Sequence, residues 1–129
     1  MNKVNQEVVD SLVSITKEYQ LLDKEYEIAK MKLAASREDM RVLRKEMRGH
    51  QDPGSIMECN REKMVVSNDI DKYNQDISDI KGKFFELTER QIDIVTPVGL
   101  ENLEVYRNLA WSIIKEDYRA AAYYRNLVK

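Results

Sequence analysis

Apolar residues recur along the first third of the chain with a spacing that alternates between four and three. The row runs Val8, Leu12, Ile15, Tyr19, Leu22, Tyr26, Ala29, Leu33, Ser36, Met40, Leu43 and Met47, and eleven of its twelve members are apolar. A second row starts at Ile56 and steps by three then four through Cys59, Lys63, Val66, Ile70, Tyr73, Ile77, Ile80, Phe84, Leu87, Gln91 and Ile94, with ten of twelve apolar. A mean spacing of 3.5 residues held over this length is the seam of a coiled coil. Two seams of equal length, joined by a short interruption, bury their apolar rows most simply against each other. The pattern therefore predicts a long antiparallel helical hairpin, each arm spanning roughly 60–65 Å at ~1.5 Å per residue.

The helix breakers fall where this reading needs them. Both prolines and three of the four glycines lie in Gly49–Ser55 and Thr96–Gly99, and these residues end helices by left-handed caps and by barring helix before proline. Only Gly82 interrupts the second arm. Three helices follow, near 4–48, 55–95 and 97–127, in a single all-α domain. Ser55-Ile56-Met57-Glu58 has the form of a capping box, and Thr96 before Pro97 fits an N-cap with proline at the first helical position. The third helix repeats the seam spacing at Leu103, Tyr106, Ala110, Ile113, Asp117, Ala120, Tyr124 and Leu127. Turning back at Thr96-Pro97, this shorter helix packs on the open end of the hairpin and leaves the loop end, roughly 37–66, as two bare helices.

Flanking charges suggest the register. With indices summing to about 106 across the seam, Glu18 meets Arg90, Glu25 meets Lys83, Lys32 meets Asp76 and Asp23 meets Lys81. A shift of one heptad places Glu25 against Asp76 instead, so the first register is favoured, although exposed pairs contribute only ~0.2–1 kcal/mol each.

Three features set the loop end apart. Five of the six methionines lie between Met31 and Met64. Met40 and Met47 fall on the seam, whereas Met57 and Met64 lie off it, where a flexible, polarizable side chain suits an adaptable partner surface. Ser36, Lys63 and the small Cys59 weaken the seam there. Arg37, Arg41, Arg44 and Arg48, with Lys45 beside them, form a cationic stripe just off the seam, relieved locally only by Glu38. Such a stripe fits either an acidic protein surface or a phosphate backbone; the ordinary alternative is a solvated helix face. On the third helix a second row, Trp111, Ile114, Tyr118, Ala121 and Val128, lies ~100° from the first. It offers a surface for self-association, a dimer being favoured, with a single wide stripe wedged between the two arms as the alternative.

Composition narrows the chemistry. A net charge of −2 in 129 residues argues against a bulk polyanion binder. One cysteine cannot form an internal disulfide, which fits a reducing cytoplasm. No apolar run approaches the length of a membrane span and no apolar h-region follows Met1, so neither a membrane span nor a signal peptide is expected. Catalysis has little to stand on: His50 is the single histidine and sits in the turn, Cys59 reads as a small seam residue, and Asp69, Asp71, Asp76 and Asp79 lack the glycine turn of a metal-binding loop and read as the outer face of the second arm. No phosphate loop or paired Cys-x-x-Cys is present, and no cofactor or metal is expected. Asp117 falls on an apolar row and is expected at its wet edge; an unpaired carboxylate there predicts a sharp rise in melting temperature for Asp117→Leu. The expectation is a non-enzymatic interaction protein, an adaptor, assembly factor or inhibitor, using Arg37, Arg41, Arg44, Lys45, Arg48, Met57 and Met64 for a protein partner and Trp111, Ile114, Tyr118 and Ala121 for self-association. Nucleic-acid binding through the same arginines is the second reading.

Overall fold

The computed structural model describes residues 3–49 and 52–129. The chain is all-α, with no strand among the described residues: two long helices pack closely as a hairpin, and shorter helices pack on them. Helix α1 spans Gln6–Gly49 and α2 spans Pro53–Val95; short 3-10 turns at Thr96–Val98 and Leu100–Asn102 lead into α3, Leu103–Ile114, and α4, Tyr118–Leu127. His50 lies outside the described residues.

Every residue of both predicted seams is buried or half-buried, including the interruptions Ser36, Lys63 and Gln91. A 3.5-residue row stays on one side of a slightly supercoiled helix, so each arm offers the other a continuous apolar edge. The chain divides into two compact units, one made of Met1–Asp23 with Gly82–Lys129 and the other of Lys24–Lys81.

In the first unit the core is wider than a two-helix seam. Leu12, Ile15 and Leu87 are joined by Val9, Thr16 and Val95, which the seam does not include, and by Tyr106, Leu109 and Ala110 of α3. Val9 and Thr16 stand one helical step beyond the seam row, and both are fully buried, so this flank of α1 is covered as well as the seam. Thr16 turns its hydroxyl back onto the Leu12 carbonyl at 2.8 Å, which satisfies a buried donor locally. Asn5 heads α1: its carbonyl accepts from Val9 N–H and its side chain from Val8 N–H, while its own N–H donates to the hydroxyl of the fully buried Tyr106 at 3.0 Å. Asn102, also buried, donates to the Val98 carbonyl and accepts from the Lys129 N–H at 2.9 Å, tying the C-terminus to the second 3-10 turn. Between the arms Tyr19 stacks on Phe84, ring centroids 5.6 Å apart, and hydrogen-bonds Thr88. Arg90 pairs with Glu18 at 3.0 Å, the contact expected of the favoured register.

Three local expectations are corrected. The predicted third helix is two helices. Glu116 takes φ +56°, its N–H bonds the Ile113 carbonyl, and the Asp117 N–H bonds the Ser112 carbonyl. This is a Schellman cap with glutamate where glycine is usual, which is why no breaker marks it in the sequence. Asp117 is exposed, as its expected place at the wet edge of the row requires, and it caps α4 by accepting from the Ala120 N–H at 3.1 Å. Second, α2 starts earlier than position 55. Asp52 accepts from both the Ser55 N–H and its hydroxyl, with Pro53 as first helical residue; an aspartate N-cap followed by proline replaces the Ser55–Glu58 box. Third, Thr96 caps nothing. Its hydroxyl bonds back to the Ile92 carbonyl at 2.6 Å, and the chain leaves α2 through Gly99, whose φ of +103° is open to glycine alone at low cost.

Candidate functional site

Among the described residues no group of three or more His, Cys, Asp or Glu side chains is placed to hold a metal ion, and no helix is long and apolar enough to cross a membrane. The candidate surfaces are those of the second unit and of the α3–α4 pair.

In the second unit the sequence-marked residues are all on the surface: Arg37, Arg41, Arg44, Lys45 and Arg48 on α1, with Met57 and Met64 on α2. Met57 keeps 64% and Met64 67% of its surface exposed. Met40 and Met47 are instead drawn into the seam, where the Lys63 ammonium reaches the Met47 sulfur at 3.7 Å. Arg41 is engaged within its own helix by a two-pronged contact to Glu38 at 2.6 and 2.9 Å. That contact holds the Glu38 carboxyl below its ordinary range and takes Arg41 partly out of the free stripe. Arg37, Arg44 and Arg48 have no such ion pair among the described residues.

A groove missed in the sequence runs between the two arms of this unit. Val42, Leu43, Val65 and Val66 line it, Asp39, Glu46 and Glu62 rim it, and its open volume is about 430 Å³. None of the three carboxylates has an ion-pair partner among the described residues. Cys59 is buried beside them, and burial first, then Glu62, Glu46 and Glu58, push its thiol pKa up. The groove fixes which flank each arm turns to which. At ~100° per residue, Asp39, Val42 and Glu46 lie on one side of the α1 seam, and Arg37, Arg41, Arg44 and Arg48 lie on the other. On α2, Glu62 and Val65 face the groove, so Met57, Asn60, Met64 and Ser67 fall on the flank shared with the arginines. The arginines therefore stand opposite amides, hydroxyls and methionines, with no carboxylate from Asn60 or Ser67 to neutralise them.

The second predicted surface is rearranged. Because α3 ends at Ile114, the row Trp111, Ile114, Tyr118, Ala121 does not run along one helix. Trp111 and Ile114 are half-buried, Tyr118 is 78% exposed, and Ala121 is buried inside the chain; burial removes Ala121 from any outer surface of the free chain. Trp111 borders an open pocket with Asn108, Lys115, Asp117 and Tyr124, and the Lys115 ammonium lies 5.5 Å from the centre of its ring. A cation over an indole face is a favourable contact, and here it shields part of the surface the sequence offered to a second molecule. Tyr123 and Leu127 are exposed on α4.

The groove had a readable signal. Val42 and Val65 lie off the seam, each next to a seam residue, and the favoured register carries Glu46 to within a turn of Glu62. Set beside the pairs Glu18–Arg90 and Lys32–Asp76, that is acid facing acid. Comparison with family models, curated proteins and solved structures finds no match to this chain.

Proposed function

We propose that this chain is a non-enzymatic protein-interaction module of the cytoplasm, an adaptor, assembly factor or inhibitor, whose arginine and methionine flank binds a protein partner. The observation that carries this reading is the sharing of one flank by Arg37, Arg44 and Arg48 with the exposed Met57 and Met64. Methionines supply adaptable apolar contact, and arginines at its edge supply charge-assisted hydrogen bonds to carboxylates. Self-association through Trp111, Ile114 and Tyr118 is the second part of the proposal, with Tyr118 as its most accessible element.

Nucleic acid is the weaker candidate. Asp39, Glu46 and Glu62 line the other flank of the same segment and repel a polyanion that wraps it. No Tyr, Phe or Trp lies within 37–66 to stack a base.

Affinity capture at two salt concentrations tests the choice. A partner retained by the wild type at 0.5 M salt, lost with Met57→Ser/Met64→Ser and resistant to nuclease supports the protein reading. Binding that falls steeply and linearly in log salt, that Arg37→Glu/Arg44→Glu abolishes and the methionine changes spare, supports phosphate recognition instead.

A further inference from the structure

The second unit carries two unsatisfied surfaces of opposite charge. On one flank the exposed apolar side chains Val42 and Val65 lie between Glu46 and Glu62, which have no cation of their own. Two like charges bordering one groove repel each other, and any cation brought between them relieves both. On the other flank Arg37, Arg44 and Arg48 stand beside Met57 and Met64, again without a counter-charge. Apolar with an acidic rim matches apolar with a basic rim. The two surfaces occupy opposite sides of the same pair of helices, so they cannot meet within one chain.

We propose that the Val42–Val65 groove receives the Arg44–Met64 flank of a second copy of this chain. The groove takes the methionines as filler, and the arginines reach the carboxylates at its rim. The contact joins two different surfaces, so it is heterologous. Each bound pair keeps one groove and one flank free, and association continues to a ring or an open string instead of stopping at a two-fold dimer. Charges at the rim make it sensitive to ionic strength. It uses the same flank as the foreign-partner reading above and competes with it, but it is tested separately, because the purified chain alone suffices; it is independent of Trp111 and Tyr118, which lie in the other unit.

A charge swap tests it. Sedimentation velocity and light scattering follow three purified chains from 10 to 200 µM at 20 mM and 500 mM salt: the wild type, Glu46→Lys/Glu62→Lys and Arg37→Glu/Arg44→Glu. The wild type is expected to grow past the dimer at low salt and to lose that growth at high salt. Each swapped variant, with its helical circular dichroism intact, is expected to associate at least ten-fold more weakly. An equimolar mixture of the two is expected to regain growth, since each then offers the other a complementary face. A wild type that stays monomeric or stops at a dimer at 200 µM and low salt overturns the proposal, as does a mixture no better than its parts. A wild type that stays monomeric while a lysine-rich amphipathic peptide shifts the Val42 and Val65 methyl resonances assigns the groove to a foreign basic helix, and overturns it as well.

Discussion

Arg90 Nη1 donates to Glu18 Oε2 at 3.0 Å across the seam between α1 and α2, and it is the one ion pair among the described residues that links the two arms. It reports the register without producing it. Both side chains are about half exposed, where water and salt screen the attraction, and such pairs contribute ~0.2–1 kcal/mol. A double-mutant cycle of Glu18→Gln and Arg90→Gln should give a coupling below about 1 kcal/mol, shrinking further in 0.5 M salt. A coupling of several kcal/mol would show that the pair, and not the apolar row, sets the alignment.

Tyr106 holds the start of α1. It is fully buried, and its hydroxyl accepts from the Asn5 N–H, a group 101 residues away in sequence. Tyr106→Phe keeps the ring and removes one acceptor, so the expected cost is about 0.5–1.5 kcal/mol. Tyr106→Leu or Ala opens a cavity in the buried core, and a loss of about 3–5 kcal/mol is expected for alanine. Chemical denaturation measures both. Equal costs for Phe and Ala would mean that the hydroxyl matters and the packing does not.

The hairpin is legible because it rests on one repeated cause. A 3.5-residue row tells the same story at every turn, and Lys63 or Gln91 can interrupt it without changing which side faces inward. What the sequence conceals are features that rest on a single residue or on the meeting of distant ones. The end of α3 depends on one glutamate in a conformation that glycine normally marks. Val9 and Thr16 lie off the seam row, and their burial depends on more than the pairing of the two arms. In the second unit Arg37 and Arg44 hold the equivalent heptad position and are exposed, so a change along this row from apolar to cationic does show where the third layer ends. The acidic groove needs α1 and α2 in register before Glu46 and Glu62 become neighbours.

The α3–α4 break gives a prediction of opposite signs at adjacent residues. Glu116 sits at φ +56°, where its Cβ costs roughly 1–2 kcal/mol that glycine avoids. Glycine gives part of this back through its freer unfolded chain, about 0.4–1 kcal/mol. Glu116→Gly is therefore expected to raise the melting temperature. Asp117→Ala, and equally Asp117→Leu, removes the cap that accepts from the Ala120 N–H, for an expected loss of about 0.5–2 kcal/mol. The exposure of Asp117 agrees with its expected place at the wet edge of the row, and its role as a cap replaces the case of an unpaired carboxylate. A melting temperature that climbs with Asp117→Leu would refute the capping role.

Cys59 provides a pH signature of the second unit. Its thiol is buried, and burial, with Glu62, Glu46 and Glu58 adding to it against a smaller opposing effect of Lys63, raises its pKa above the ordinary value. The folded state thus holds the proton more tightly than the unfolded state does. A group raised in this way contributes stability fully below its unfolded pKa, about 8.5 for a thiol. That contribution is lost as the pH climbs through the higher folded value. Denaturation midpoints of the wild type and Cys59→Ala, followed from pH 7 to 10.5, should converge or cross only above about pH 8.5, because other titrating groups are common to both. The thiol should also react slowly with iodoacetamide at pH 8, since only the thiolate attacks. Burial is the larger cause, so Glu62→Gln should speed that reaction only modestly, whereas loosening the seam with Met40→Ala should speed it more. A fast reaction at pH 8 in the wild type, or midpoints that run parallel across the whole range, would place Cys59 in contact with solvent and away from the carboxylates that rim the groove.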